Sequence, residues 1–272
     1  MSAPETSAPL IRLERLEGGI ALVTLARAEA RNALSLAMVR QLRAVLAEVA
    51  ADAALRVVVL AGEGKAFCAG LDLKQVILGE EAPTGPIANM ALQELYAGLM
   101  LDIHRLRQPV IAAVQGAAVG AGMGVALAAD IRIAAPCAQF LVGAVRIGLS
   151  AGECGISYHL PRLVGAGRAF EIMLTGRPVT GDEAAAIGLA SRLVAEDALR
   201  QEALATAQAI AANAPYSIKH TKQVMWANLE APSLAAAIEL ENHVQVAALL
   251  SADFAEACRA FAEKRPPVFR GA

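Results

Sequence analysis

Several things this chain has little of narrow its role before any motif is considered. Aromatic residues make up only 4% of its 272 positions. The 56% of hydrophobic residues are therefore mostly small aliphatics, which suit close packing in a protein interior. Neither sign of charge dominates: 24 Lys and Arg stand against 26 Asp and Glu, a formal net charge of −2. Nothing there marks a nucleic-acid partner, which would show as a basic face or tail. The four cysteines, Cys68, Cys137, Cys154 and Cys258, form no C-x-x-C pair and no zinc-site spacing. They read as reduced thiols in the cytoplasm, with no metal to hold. The opening MSAPETSAPL has no basic run followed by an apolar core, so it reads as a short disordered lead-in rather than a signal peptide. Residues 110–129 carry no charge and are long enough to cross a bilayer. Gln115 and four glycines interrupt them, however, so a buried strand, a glycine turn and a helix is the better reading, and no membrane partner is expected.

What is present alternates between strands and helices. Residues 10–16 (LIRLERL) and 20–25 (IALVTL) read as neighbouring strands joined by Glu17-Gly18-Gly19. Ser35 suits a helix N-cap, and Leu36, Val39, Leu42, Val45, Leu46 and Val49 follow at helical spacing. The β-branched run 56–61 reads as a buried strand that ends in the turn Gly62-Glu63-Gly64-Lys65. A helix near 88–107, a strand at 110–114, a glycine-rich turn, a helix ending near Asp130 and a strand at 131–134 follow. This order argues for an α/β arrangement. From about Glu196 strand signals cease, and 196–213, 216–230, 233–250 and 252–264 read as helices, with Pro215 and Pro232 as breaks. The expected division is an α/β core over 1–195 and a helical region over 196–272.

Two glycine-bearing turns are the candidate binding elements. Residues 64–74 (GKAFCAGLDLK) follow a buried strand and open a helix; residues 115–122 (QGAAVGAG) have the same form. Amides at a helix start have no internal partner and sit at the positive end of the helix dipole, so they can receive an oxyanion. Either turn alone is as readily a packing device. Neither is a P-loop, because G-x-x-x-x-G-K-[ST] is absent, and the Gly120-Ala121-Gly122 register does not fit a dinucleotide fingerprint.

Together the two turns resemble the crotonase (enoyl-CoA hydratase/isomerase) superfamily. The matching segments include AEARNAL at 28–34, the turns at 64–74 and 109–130, LPRLVG at 160–165, LTG at 174–176 and FAEKR at 261–265, in the family's order over nearly the whole chain. The resemblance implies a spiral of β-β-α units with a C-terminal helical region that assembles trimers, often as pairs of trimers. It implies an acyl-coenzyme A thioester as substrate, with no separate cofactor. The amides of Leu71 and Ala121 would form the oxyanion hole; relatives commonly have glycine at the second place, but alanine keeps its N–H. Arg31, Ala33, Ala69, Gly70, Asp72, Leu73, Lys74 and Gly120 would lie along the thioester and its nucleotide. Phe261 and Lys264 would reach the coenzyme of a neighbouring subunit. Asp72 is expected to cap the turn rather than to react.

The pattern also breaks. The family's two hydratase glutamates would fall at Gly124 and near Ala144, and neither is a carboxylate. Counting back from Leu160-Pro161-Arg162, Glu153 falls where dienoyl-CoA isomerases and chlorobenzoyl-CoA dehalogenases place a reactive aspartate. The resemblance implies first an enoyl-CoA hydratase, the family's commonest member, in fatty-acid or related acyl-CoA degradation; the alternatives are an enoyl- or dienoyl-CoA isomerase working through Glu153, or an acyl-CoA-binding protein without hydratase activity. Cys154 and His159, five residues apart with no orienting group, make a poor nucleophile pair. His104, His220 and His243 lack metal-ligand spacing, and Tyr158 is expected in the core.

Overall fold

The computed structural model describes residues 9–79 and 82–271. The expected lead-in therefore lies outside the described residues at positions 1–8. β1 (Ile11–Leu16) and β2 (Ile20–Leu25) pair antiparallel across the Gly18-Gly19 turn. α1 (Leu36–Ala51) follows, its first turn closed by Ser35, whose hydroxyl accepts from the Met38 amide at 3.2 Å. Then come β3 (Val57–Gly62), a one-turn helix α2 (Leu73–Val76), α3 (Gly85–Arg105) and β4 (Val110–Val114). The long uncharged stretch resolves into β4, β5 (Ala117–Val119) and α4 (Ala121–Ala128). No helix among the described residues is long and apolar enough to cross a membrane.

β6 (Ile131–Ala134), β7 (Gln139–Leu141), α5 (Ile156–Val164), α6 (Ala166–Thr175), β8 (Pro178–Thr180), α7 (Gly181–Ala186) and β9 (Arg192–Leu193) complete the stranded part. The main sheet has the order β1-β2-β3-β4-β6-β9, parallel after its first pair. Helices cover the parallel strands on both faces, so the strands' side chains split between two cores. Ala21, Val23, Val58 and Leu60 point to the side of α1, α3 and α4. Ile20, Leu22, Val57 and Val59 point the other way, onto Leu199, Ala203, Ala207 and Ala211, which recur every fourth residue along α8 (Leu199–Ala211). A second small sheet, β5-β7-β8, was not anticipated from the sequence; its strands of three residues are too short to show alternation. Residues 196–198, expected as the start of a long helix, form a 3-10 turn before α8.

α9 (Pro215–Asn228), α10 (Leu234–Leu249) and α11 (Ala252–Glu263) close the described chain. α9 is tied to the core by a buried clasp. Lys222 Nζ lies 2.8 Å from Asp130 Oδ2 and donates to the Gln108 carbonyl at 3.0 Å, while Trp226 Nε1 donates to Asp130 Oδ1 at 2.8 Å. α10 buries none of its residues in this chain.

Candidate active site

The two turns are zipped together before they part. The Cys68 amide donates to the Ala117 carbonyl at 2.9 Å, and the Val119 amide returns to the Cys68 carbonyl at 3.0 Å. This pairing needs glycine at the crossing points. A β-carbon on Gly70 would stand 2.4 Å from the Val119 carbonyl oxygen, and one on Gly122 would stand 2.2 Å from that of Cys68. Beyond the pairing each turn leaves one amide free. The Leu34 amide bonds the Gly70 carbonyl and the Asp72 amide bonds the Leu34 carbonyl, so the intervening Leu71 N–H faces away from Leu34. Ala121 is the first residue of α4, where an amide has no intrahelical acceptor. Among the described residues neither amide has a hydrogen-bond acceptor. The position of a β-carbon on Gly70 is only 3.6 Å from the Ala121 nitrogen, so the two turns come together at the place where both N–H groups are unused.

A cavity of about 260 Å3 opens at that place. Of the residues proposed from the sequence, Ala69, Gly70, Leu71, Leu73, Gly120, Ala121 and Glu153 line it. Other walls include Tyr96, Gln93 and Leu92 of α3, Cys154 beside Glu153, and Ala144, Ile147 and Leu149 of the segment after β7. Tyr96 and Leu92 were missed from the sequence; they lie on a helix whose contact with the turns only packing reveals. The Tyr96 hydroxyl donates to the Leu34 carbonyl at 2.7 Å, which leaves the ring as an apolar wall. Glu153 is the only carboxylate on the cavity wall among the described residues. Its Oε1 lies 3.5 Å from where a β-carbon on Gly120, the residue before Ala121, would be. Burial holds its pKa above the ordinary carboxylate range, and no cation or hydrogen-bond donor offsets that among the described residues.

Other proposed residues stand elsewhere. Asp72 caps α2, accepting from the Gln75 amide at 3.1 Å, and pairs with Arg27 at 2.6 Å. Burial alone would raise its pKa; the Arg27 bond and the capping amide overcome this and lower it. Arg31, Ala33 and Lys74 lie beside the cavity's turns without lining it. Phe261 and Lys264, at the end of α11, do not line it either, and Phe261 is 86% exposed. Cys154 and His159 do not act together. Burial pushes the Cys154 thiol up to about 12, whereas His159 packs tilted against His104 and edge-on against Trp226, lining a cavity other than the one Cys154 lines, and burial lowers it to about 4. The Tyr158 hydroxyl, outside the cavity, bonds Glu230. Among the described residues no cluster of His, Cys, Asp or Glu could hold a metal ion.

Fold and site together bring two unused backbone N–H groups and one desolvated carboxylate to the wall of a largely apolar cavity. The sequence matches the model of the enoyl-CoA hydratase/isomerase family over residues 15–272. A probable enoyl-CoA hydratase of Mycobacterium tuberculosis is 43% identical over 263 residues, covering 96% of this chain and 92% of that protein. The 1,2-epoxyphenylacetyl-CoA isomerase of Escherichia coli is 34% identical over 261 residues, covering 95% and 98%. The crystal structure of a putative enoyl-CoA hydratase from Streptomyces coelicolor superposes with a TM-score of 0.91 at 37% identity, covering 100% of this chain and 98% of that one. The chain belongs to the enoyl-CoA hydratase/isomerase family and has the crotonase fold.

Proposed function

We propose that this enzyme isomerises an unsaturated acyl-CoA, with Glu153 carrying the proton. The thioester oxygen sits between the Leu71 and Ala121 amides, and the charge that develops on it is met by donors already in place. The Glu153 carboxylate removes a proton from C2 of a β,γ-unsaturated thioester. The electron pair spreads into a dienolate whose oxygen the two amides hold. The protonated Glu153 then returns the proton at C4, so the double bond moves into conjugation and the carboxylate is regenerated. The step is redox-neutral and calls for no cofactor. A carboxylate whose pKa is raised toward the working pH suits both halves of this exchange.

The observation that carries the reading is that, among the described residues, Glu153 alone of the carboxylates reaches the cavity, while Gly124 and Ala144 supply none. Glu153→Gln is expected to lower isomerase kcat by about 10²–10⁴-fold with acyl-CoA affinity intact. Undiminished turnover in that variant would sink the reading. Water addition remains the second reading, favoured by the relatives named as hydratases. Rapid hydration of crotonyl-CoA that survives Glu153→Gln would decide for it. Binding of butyryl-CoA with no turnover of any enoyl thioester would point instead to a binding protein.

We also infer that Lys74 faces the coenzyme phosphates, with Arg31 and Ala33 nearby, and that Phe261 and Lys264 serve a neighbouring subunit in a trimer or pair of trimers working in the cytoplasm. The outward position of Phe261 and the unburied α10 support the assembly.

A further inference from the structure

We infer that Gly124 is a positioning residue for Glu153: the missing side chain on α4 is the seat on which the turn carrying Glu153 rests. The inference rests on the reading of Glu153 as the proton carrier. A β-carbon on Gly124 would stand 2.8 Å from the Cys154 carbonyl oxygen, 2.9 Å from the Cys154 β-carbon and 2.9 Å from Met100 Cε. The methionine methyl can swing aside. The Cys154 backbone cannot retreat without taking Glu153, its chain neighbour, along. The turn has little slack, because Cys154 holds a φ of +47°, Gly155 follows at +72°, and the Ile156 amide closes the loop on the Glu153 carbonyl at 2.8 Å. A side chain at 124 and a seated Glu153 therefore exclude each other.

This has a consequence for the two positions where the family's glutamates would fall. Gly124 is not a vacancy awaiting a carboxylate, because Cys154 and Met100 already fill the space. A glutamate placed at 124 would evict Glu153 rather than add to it. The site is committed to chemistry from the α5 side of the cavity.

Gly124→Ala is the test, with Leu127→Ala as a control. Leu127 lies on the same helix but faces a separate cavity beside Trp226. Among the described residues, the titratable groups sharing the reaction cavity with Glu153 are the Cys154 thiol on its own turn and the Tyr96 hydroxyl on α3; Asp72, beyond the Leu71 turn, is held by Arg27. Gly124→Ala is expected to lower isomerase kcat by about 10²-fold, the cost of a displacement near 1 Å. The midpoint of the kcat–pH profile should fall toward the ordinary carboxylate value as the displaced Glu153 gains water. Butyryl-CoA affinity should hold, because the two amides stay in place. Leu127→Ala should lose stability and keep the wild-type midpoint.

Unchanged kcat and midpoint in Gly124→Ala would overturn the inference. So would loss of butyryl-CoA binding in step with kcat, which would mean that α4 moved instead of the turn. An equal midpoint shift in Leu127→Ala would overturn it as well. If Gly124→Ala alone does not fold, Met100→Ala/Gly124→Ala, relieved of the Cε contact, is read in the same way. A Glu153→Gln enzyme that keeps full activity refutes the underlying reading; an inactive Glu153→Gln beside a normal Gly124→Ala refutes this inference alone.

Discussion

Glu153 sits where its neutral form is favoured, and this carries a cost in stability. Its folded-state pKa lies above the unfolded value because of burial. Its contribution is therefore complete below the unfolded pKa and is lost as the pH rises through the folded one. Glu153→Gln, which keeps the neutral shape, should melt at a higher temperature than the wild type at about pH 7 and match it below about pH 4. Thermal scans at the two pH values check this; a variant that is less stable at neutral pH would contradict the burial argument. The oxyanion hole is tested at the same scale by Ala121→Pro. Proline suits the first position of a helix and removes only the N–H, so kcat/KM should fall by about 10²–10³ while the fold survives by circular dichroism. The amides of Leu71 and Ala121 and the carboxylate of Glu153 could be found in the sequence because each lies in or beside a local motif. Tyr96, Leu92 and Met100 could not, because α3 meets the turns only through tertiary packing. The contacts that fill the space at Gly124 were hidden for the same reason.

Elements show the same division. Ser35 gave away the start of α1, and the β-branched run gave away β3, because capping and burial leave local signatures. β5 was hidden inside what read as a plain glycine turn, since it exists only by pairing with Cys68 and with β7. The clasp on α9 was equally silent: Asp130 and Lys222 are 92 positions apart, and nothing in a sequence pairs them. Burial lowers the Lys222 pKa, with Asp130 opposing. Lys222→Met strips Asp130 of its cation and should cost about 3 kcal/mol in urea unfolding. A loss near zero would show that Trp226 and the Val110 amide satisfy Asp130 unaided.

Across the whole molecule, the order of strands and helices was enough to place the chain among α/β proteins, and the two turns pointed to the family. Leu234, Val246, Leu249 and Leu250 stand exposed on or just after α10 in the isolated chain, a surface that a lone subunit would not be expected to leave wet. Light scattering should report a mass three or six times 28.1 kDa. Leu249→Glu should shift it toward the monomer and weaken coenzyme binding along with it. A wild-type enzyme that is monomeric at micromolar concentration would remove the role given to Phe261 and Lys264.

On the proposed mechanism, the groups that grip the thioester oxygen belong to the main chain. Ordinary point mutations rewrite side chains, so they leave this grip almost untouched while the acids and bases around it come and go. A lineage built on such a socket can lose one carboxylate, recruit another from a different loop and pass through intermediates that still hold the substrate. Changes of reaction in such a lineage need never begin from an enzyme that has forgotten its ligand.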